Sequence, residues 1–412
     1  TYDKRGNLLT ISSDEGIVTN TYDDRDLLTS TISANGKRTY YTYNEHGQVL
    51  TETVEGLGTI RYQYEDCMLI SITDYNGNQT KFSYDNRGNI VAVTDREGAT
   101  TKYTLDNLSR VIAEENPLGE VTKYEYNCTG QQTAIIYPTG DKTLLIYDDN
   151  NYLSQTQYVD GEIFKYVNDS EGSQVKRINS NGTFRTMSYD AAGNIVKEVN
   201  ENGEETSYTY NSNADILSIT APNGSVTNYK YYPNGKLYQV IYDDGSRILY
   251  SYDKQWRLIR ETNHLGHSMS YEYDKAGNLT CQRDPLGNEY RYEYDIYGNQ
   301  VKSIDPNGNV TQFSYDANGN CIKSVNALGG ITEFIYDKEG RVVSIIRHAS
   351  SGNEILSYEY DALGRVILAT DGEGNQVKIN YDMSGNVSSM VDATGVTISE
   401  IIYDKMGNPI EM

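Results

Sequence analysis

The 412-residue sequence is poor in several things at once. It has one tryptophan, Trp256, four histidines, four cysteines and seven prolines. No apolar run approaches the roughly 20 residues of a membrane-crossing helix, and no signal-peptide pattern opens the chain. Basic residues are the minority, 35 against 58 acidic, for a formal net charge of −23. That balance argues against nucleic acid and anionic lipid as partners, since both need clustered Lys and Arg. Cys67, Cys128, Cys281 and Cys321 stand at unrelated positions along the chain, so free thiols are expected rather than disulfides. His264 and His267 flank Gly266, but no third histidine or cysteine stands at ligand spacing, and no metal site is assigned. There is no Gly-x-Ser-x-Gly, phosphate loop or His-Glu-x-x-His, and the many Asp-x-x-Gly stretches match no calcium-loop pattern. The carboxylate pairs Glu114-Glu115 and Glu204-Glu205 read as exposed strand-end or turn charges. No catalytic residue, cofactor-binding residue or cofactor is assigned.

What the chain does have is 39 tyrosines, 36 glycines and a period. A tyrosine four residues before a glycine recurs about every 21 residues, from Tyr2 to Tyr403. There are 20 such anchors; 18 are Tyr, with Leu105 and Asn168 in the other two places. The following residue is Asp or Asn in all but two, Glu65 and Tyr232. The glycine is replaced by Asp26, Met68, Ser109, Asn151, Ala214 and Trp256. A fixed internal repeat decides architecture before any other feature does.

Each repeat reads as one β-hairpin. Thr122-Lys-Tyr124-Glu-Tyr126 alternates with period 2, as a strand with one aromatic face does. Asp-x-x-Gly-Asn then makes a turn, and pairs such as Ile195-Val196 open a second strand. Asp284-Pro-Leu-Gly287 and Asp305-Pro-Asn-Gly308 are second turns of type I with a left-handed fourth residue. The fold class is therefore all-β: about 20 antiparallel hairpins in one ribbon, continuous over residues 1–412. About 40 strands at 4.8 Å would span roughly 190 Å if flat, and sheets that wide curl, so a spiral wall is expected. The anchor tyrosines should pack in ladders with their hydroxyls in water. Ligand stacking is reserved for tyrosines off that register: Tyr75, Tyr152, Tyr158 and Tyr242. Two irregularities carry their own expectations. The turn at Trp256 should differ from the glycine turns, and the three surplus residues between Tyr336 and Tyr360 should form a loop around His348–Asn353.

The unit Tyr-x-Tyr-Asp-x-x-Gly-Asn-Leu…Asp-Pro-x-Gly resembles the YD repeat of Rhs proteins, insecticidal toxin complex C components, wall-associated proteins and teneurins. The resemblance covers essentially the whole chain. It implies a strand ribbon spiralling into a hollow shell, non-enzymatic, secreted or on a bacterial cell surface. It also implies the partners: the shell's own flanking regions and an enclosed C-terminal toxin. The alternative is an adhesin-like surface that binds glycans or a partner protein. Both ends of the chain fall within a repeat, so an excerpt of a longer array, dependent on its flanks, is expected. Asp284-Pro285 and Asp305-Pro306 look like the self-cleavage region of Rhs proteins only superficially and are taken as turns.

Overall fold

The computed structural model describes residues 1–13, 16–350 and 352–411. The described residues contain forty strands, from Thr10–Ser13 to Pro409–Glu411, and no helix. Thirty-eight strands form one antiparallel sheet, each paired with the strands before and after it in sequence. The last hairpin, Ile402–Tyr403 with Pro409–Glu411, has its own ladder, tied to the sheet by Ile401 N–H donating to Ser388 O at 3.0 Å.

One hairpin explains the repeat. Asp274 N–H donates to Asn278 O at 2.9 Å, and Asp274 O accepts from Gly277 N–H at 3.2 Å. Its Oδ1 accepts from the Ala276 and Asn278 amides at 2.9 and 2.8 Å, and its Oδ2 from Asn278 Nδ2 at 2.9 Å. One carboxylate thus takes three donors of the turn, while Gly277 at φ 90° takes the left-handed place.

Trp256 does not alter its turn as the sequence suggested. Asp253 N–H donates to Arg257 O and Trp256 N–H to Asp253 O, both at 3.0 Å, the pattern of Gly277. Trp256 accepts φ 61°, and its ring packs on Tyr232 and Tyr252 with centroids 5.3 and 6.2 Å away. Asp26, Ser109, Asn151 and Ala214 take the same left-handed place at φ 63–66°. Met68 does not. There Asp66 and Cys67 are both left-handed, at φ 47° and 64°, and Glu65 pairs with Met68 across a two-residue turn.

The surplus after Tyr336 is also absorbed differently. It lengthens the strands Val342–His348 and Glu354–Tyr360 to seven residues each, with Arg347 paired to Glu354. Ser351 of the expected loop lies outside the described residues.

No large side chain in the described residues is fully buried, and the accessible surface is 24214 Å². A compact protein of 46.4 kDa would expose about 16,000 Å². The excess belongs to a single-layer wall that is wet on both faces.

Candidate functional site: the seam between coils

The tyrosines settle how the wall is made. Fifteen anchor tyrosines donate their hydroxyl to a backbone carbonyl one hairpin back, such as Tyr126 to Val111 O at 2.8 Å and Tyr315 to Gln300 O at 2.7 Å. The expectation of wet hydroxyls is corrected: they tie each hairpin to the one before. Asn168 keeps the bond, its Nδ2 donating to Leu153 O at 3.0 Å. Leu105 has no donor to offer. Burial raises the Tyr294 and Tyr315 hydroxyl pKa values above the usual tyrosine range.

The supposed off-register tyrosines have regular places in turns. Tyr158 and Tyr242 each open a second turn, bonding Glu162 O and Ser246 O through their N–H groups at 2.8 and 2.9 Å. Tyr152 closes a first turn, and its ring lies so near Gly172 that a Cβ there would sit 2.5 Å from Tyr152 Cε1. Tyr75 packs on Gly58. The carboxylate pairs separate. Glu114 lies 3.4 Å from the Tyr124 hydroxyl, Glu115 pairs with Lys102 at 2.7 Å, Glu204 binds Asn200 at 2.7 Å and Glu205 pairs with Lys197 at 2.6 Å. His348 pairs with Glu333 at 3.1 Å. Cys67, Cys128, Cys281 and Cys321 are free thiols. Asp284 and Asp305 hold ordinary second turns, each donating its N–H at 3.0 Å to Asn288 O and Asn309 O.

The contacts that join distant parts of the chain all obey one rule. Second turns of the early repeats meet first turns of the late ones. Asn35 Nδ2 donates to Ile296 O at 3.0 Å, and the Tyr297 hydroxyl to Glu55 O at 2.9 Å. Asn318 Nδ2 reaches Asp74 Oδ2 at 2.9 Å, and Asn76 Nδ2 reaches Asp316 Oδ2 at 2.8 Å. Lys338 N–H donates to Glu97 Oε1 at 2.6 Å, and Lys405 pairs with Asp141 at 3.1 Å. The separations run from 240 to 264 residues. At two strands per repeat that is about 24 strands per turn of the spiral, a circumference of roughly 115 Å and a mid-wall diameter near 37 Å. The ribbon therefore coils with one edge lying on the other.

Arg96 is the centre of this seam. Its Nη1 donates to Asp74 Oδ2 at 3.1 Å, and its Nη2 to Glu339 Oε2 at 2.9 Å, while Glu339 Oε1 accepts Arg96 N–H at 2.6 Å. Bonding to Glu339 raises the Arg96 pKa further. At Glu339 and Asp74 burial pushes upward, but the bonds from Arg96 and neighbouring amides outweigh it and hold both carboxylates below their usual range.

Two crevices open along the seam. One, of about 740 Å³, is bounded by Asp95, Glu97, Ala99 and Thr100 on one coil and by Arg341, Tyr358 and Ala362 on the other. The second, of about 560 Å³, holds Tyr137, Pro138 and Tyr158 opposite Leu363, Met383 and Met406. Nothing in the repeat spacing identified the seam residues, because contact across coils depends on the coil's circumference and not on the 21-residue unit.

The family model for the teneurin YD-shell matches residues 1–203 and again 198–411. The chain belongs to the teneurin YD-shell family. Among solved structures, the TcdB2-TccC3 complex without its hypervariable C-terminal region superposes with a TM-score of 0.65 at 12% identity, over 99% of this chain. The TcdB2-TccC3-Cdc42 structure gives 0.62, also at 12% and 99%. The Photorhabdus luminescens Tc holotoxin pore gives 0.61 at 13%, over 95%. At such identities the likeness is one of fold. This YD-shell chain spans about a third of those solved chains, 30–32% of their length. No curated protein sequence matches it.

Proposed function

We propose that this chain is a wall segment of a hollow YD shell that encloses or presents another polypeptide and performs no chemistry itself. The observation that carries this reading is the seam: a ribbon whose edges meet turn on turn bounds a space, and no ordinary core competes for that role. Residues 1–412 act as one continuous array. The strongly specified residues, Tyr, Asp, Gly and Asn, are accounted for by strand ties and turns, whereas a catalytic site needs unlike groups converging on one point. Membership of the YD-shell family and the likeness to Tc toxin complexes support a C-terminal toxin as the enclosed partner and a secreted or cell-surface setting in bacteria. The test is protease protection in the full-length protein. The C-terminal region should resist digestion until the seam is disrupted; free digestion while the repeats stay folded would overturn containment.

The alternative, a surface for glycans or a partner protein, has one observation in its favour. Tyr137 and Tyr158 line one open crevice with the carboxylates Glu120 and Asp141 beside them. Saturation-transfer NMR with oligosaccharides decides it: signals lost in Tyr158→Ala would favour that reading, and no transfer at all would remove it.

A further inference from the structure

We propose that the convex face of the wall carries a basic lane, from Arg61 to Lys165, that docks a flexible acidic segment of a separate protein. The lane is built by the repeat. Three residues before the anchor, six successive repeats carry Arg61, Lys81, Lys102, Lys123, Leu144 and Lys165. Lys102 pairs with Ala92, and Ala92 with Ser83, which sets each of these residues two strands across and two residues along from the one before. That step is about 12 Å, so the lane runs about 60 Å along the ribbon. Glu115 and Glu125 stand beside it, and they are paired with Lys102 and Lys142 at 2.7 and 3.9 Å. Arg61, Lys81, Lys123 and Lys165 are exposed, and no carboxylate among the described residues pairs with them.

Exposure places the lane on the outside. Lys123 and Glu125 alternate with Tyr124 and Tyr126, and in these strands the lysine side is exposed where the aromatic side is half-buried. Side chains converge on the concave side of a curved sheet and spread on the convex side, so the tyrosines point inward and the lane outward. The lane follows the bend of the coil. A flat membrane meets little of it, and a stiff nucleic-acid duplex cannot follow it. Single strands need aromatic platforms, and the strands carry none on this face between Arg61 and Val167. In the one place where the row lacks a cation stands Leu144, with Ile146 and Val167 near it, 44% and 45% exposed. Ile146 lies across Gln155 from Lys165, so the apolar group adjoins the charge. Such aliphatic side chains match the apolar residues of a polypeptide, which an acidic polysaccharide lacks. In an extended peptide, at about 3.3 Å per residue, an acid at every third or fourth place keeps step with the lane.

Fluorescence anisotropy tests this with a labelled peptide of about 18 residues, long enough for the lane, with Glu at every third or fourth place and Leu or Ile between. The peptide should bind the whole chain, and more weakly as salt rises. Lys81→Glu/Lys123→Glu should weaken binding about tenfold through two reversed surface charges. Lys4→Glu/Lys275→Glu makes the same change of net charge in turns off the lane and should leave binding as it was. All four lysines are exposed, and circular dichroism checks that the fold is kept. No binding at low salt overturns the proposal, and so do equal losses in the two double variants. Heparin or single-stranded DNA that binds more tightly than the peptide, with the same loss in Lys81→Glu/Lys123→Glu, would overturn a polypeptide as the partner. The full-length protein should bind the peptide as this chain does. A full-length protein that does not would show the lane filled by its own flanking regions, and would overturn the separate partner.

Discussion

At the scale of the residue, the anchor tyrosine and the turn aspartate are devices for backbone hydrogen bonding. The aromatic ring was legible in the sequence as a strand-face residue; the destination of its hydroxyl was not, because a partner 15 residues back leaves no mark on the alternation. Tyr315→Phe removes the bond to Gln300 O and leaves a half-buried carbonyl without its donor, a loss of about 1 kcal/mol. Leu105→Tyr should move stability the other way by a similar amount. Chemical denaturation of the two variants checks both signs. The aspartates set the response to acid. Bonds from the Asn89 side chain and amide hold Asp85 at about 2 against an ordinary 3.8. A lowered pKa in the folded chain means stability that is complete above the ordinary value and is lost as pH falls toward the folded one. Asp106, Asp190, Asp284 and Asp371 are lowered in the same sense. Melting temperature should therefore hold steady down to about pH 5 and drop between about pH 4 and 2. A flat profile through that window would show that the carboxylates do not hold the turns.

At the scale of the element, the first and last residues of many turns form a code. Where the first is Asp, the fifth is commonly a side-chain donor: Asn278 to Asp274 at 2.9 Å, Arg110 to Asp106 at 2.7 Å, Arg365 to Asp361 at 2.7 Å; Leu27, Ala99 and Val396 are exceptions that give only their backbone N–H. Where the first is Asn, the fifth commonly accepts: Gln48, Glu120, Glu204 and Asp215 take the amide of Asn44, Asn116, Asn200 and Asn211 at 2.7–2.9 Å, whereas Gly330 after Asn326 has no side chain to do so. The arginines have a second use, for Arg110 and Arg365 lie 4.6 and 4.4 Å from the ring centres of Tyr126 and Tyr381 in the next hairpin. Asn278→Asp places two carboxylates face to face and should destabilise the hairpin; adding Asp274→Asn should recover most of the loss. A double-mutant cycle by thermal unfolding measures this, and additive losses would refute the code. Hairpin type and count were readable from the 21-residue period, since turn chemistry is local. Trp256 shows the limit of that reading. A bulky residue in a left-handed site looks like a broken turn until Tyr232 and Tyr252 are seen packed against it, and the Tyr232 ring comes from the preceding hairpin.

At the scale of the whole molecule, two kinds of bond of unequal strength hold the wall. Along the ribbon every strand is hydrogen-bonded to its neighbours, while across the seam only turn contacts join the coils. Winding was expected from sheet twist, but where the coils meet was not, because it depends on small rotations summed over about 24 strands. Arg96→Ala removes the bonds to both Asp74 and Glu339 and leaves two half-buried carboxylates without their cation. The coils should then part locally, with faster hydrogen exchange at the seam turns and an unchanged β-sheet circular dichroism spectrum. Loss of the sheet signal would mean that the seam and the ribbon fold as one unit.

The most direct measurement is a distance across the seam. Ala99 and Ala362 border the same crevice although 263 residues separate them. With the four native cysteines replaced by serine, spin labels at Ala99→Cys and Ala362→Cys can be read by double electron–electron resonance. A spiral whose coils touch predicts one narrow distribution of short distances, on the order of 20 Å. An unrolled ribbon would hold the two labels about 25 strand steps apart, on the order of 120 Å, and no short distance would then be seen.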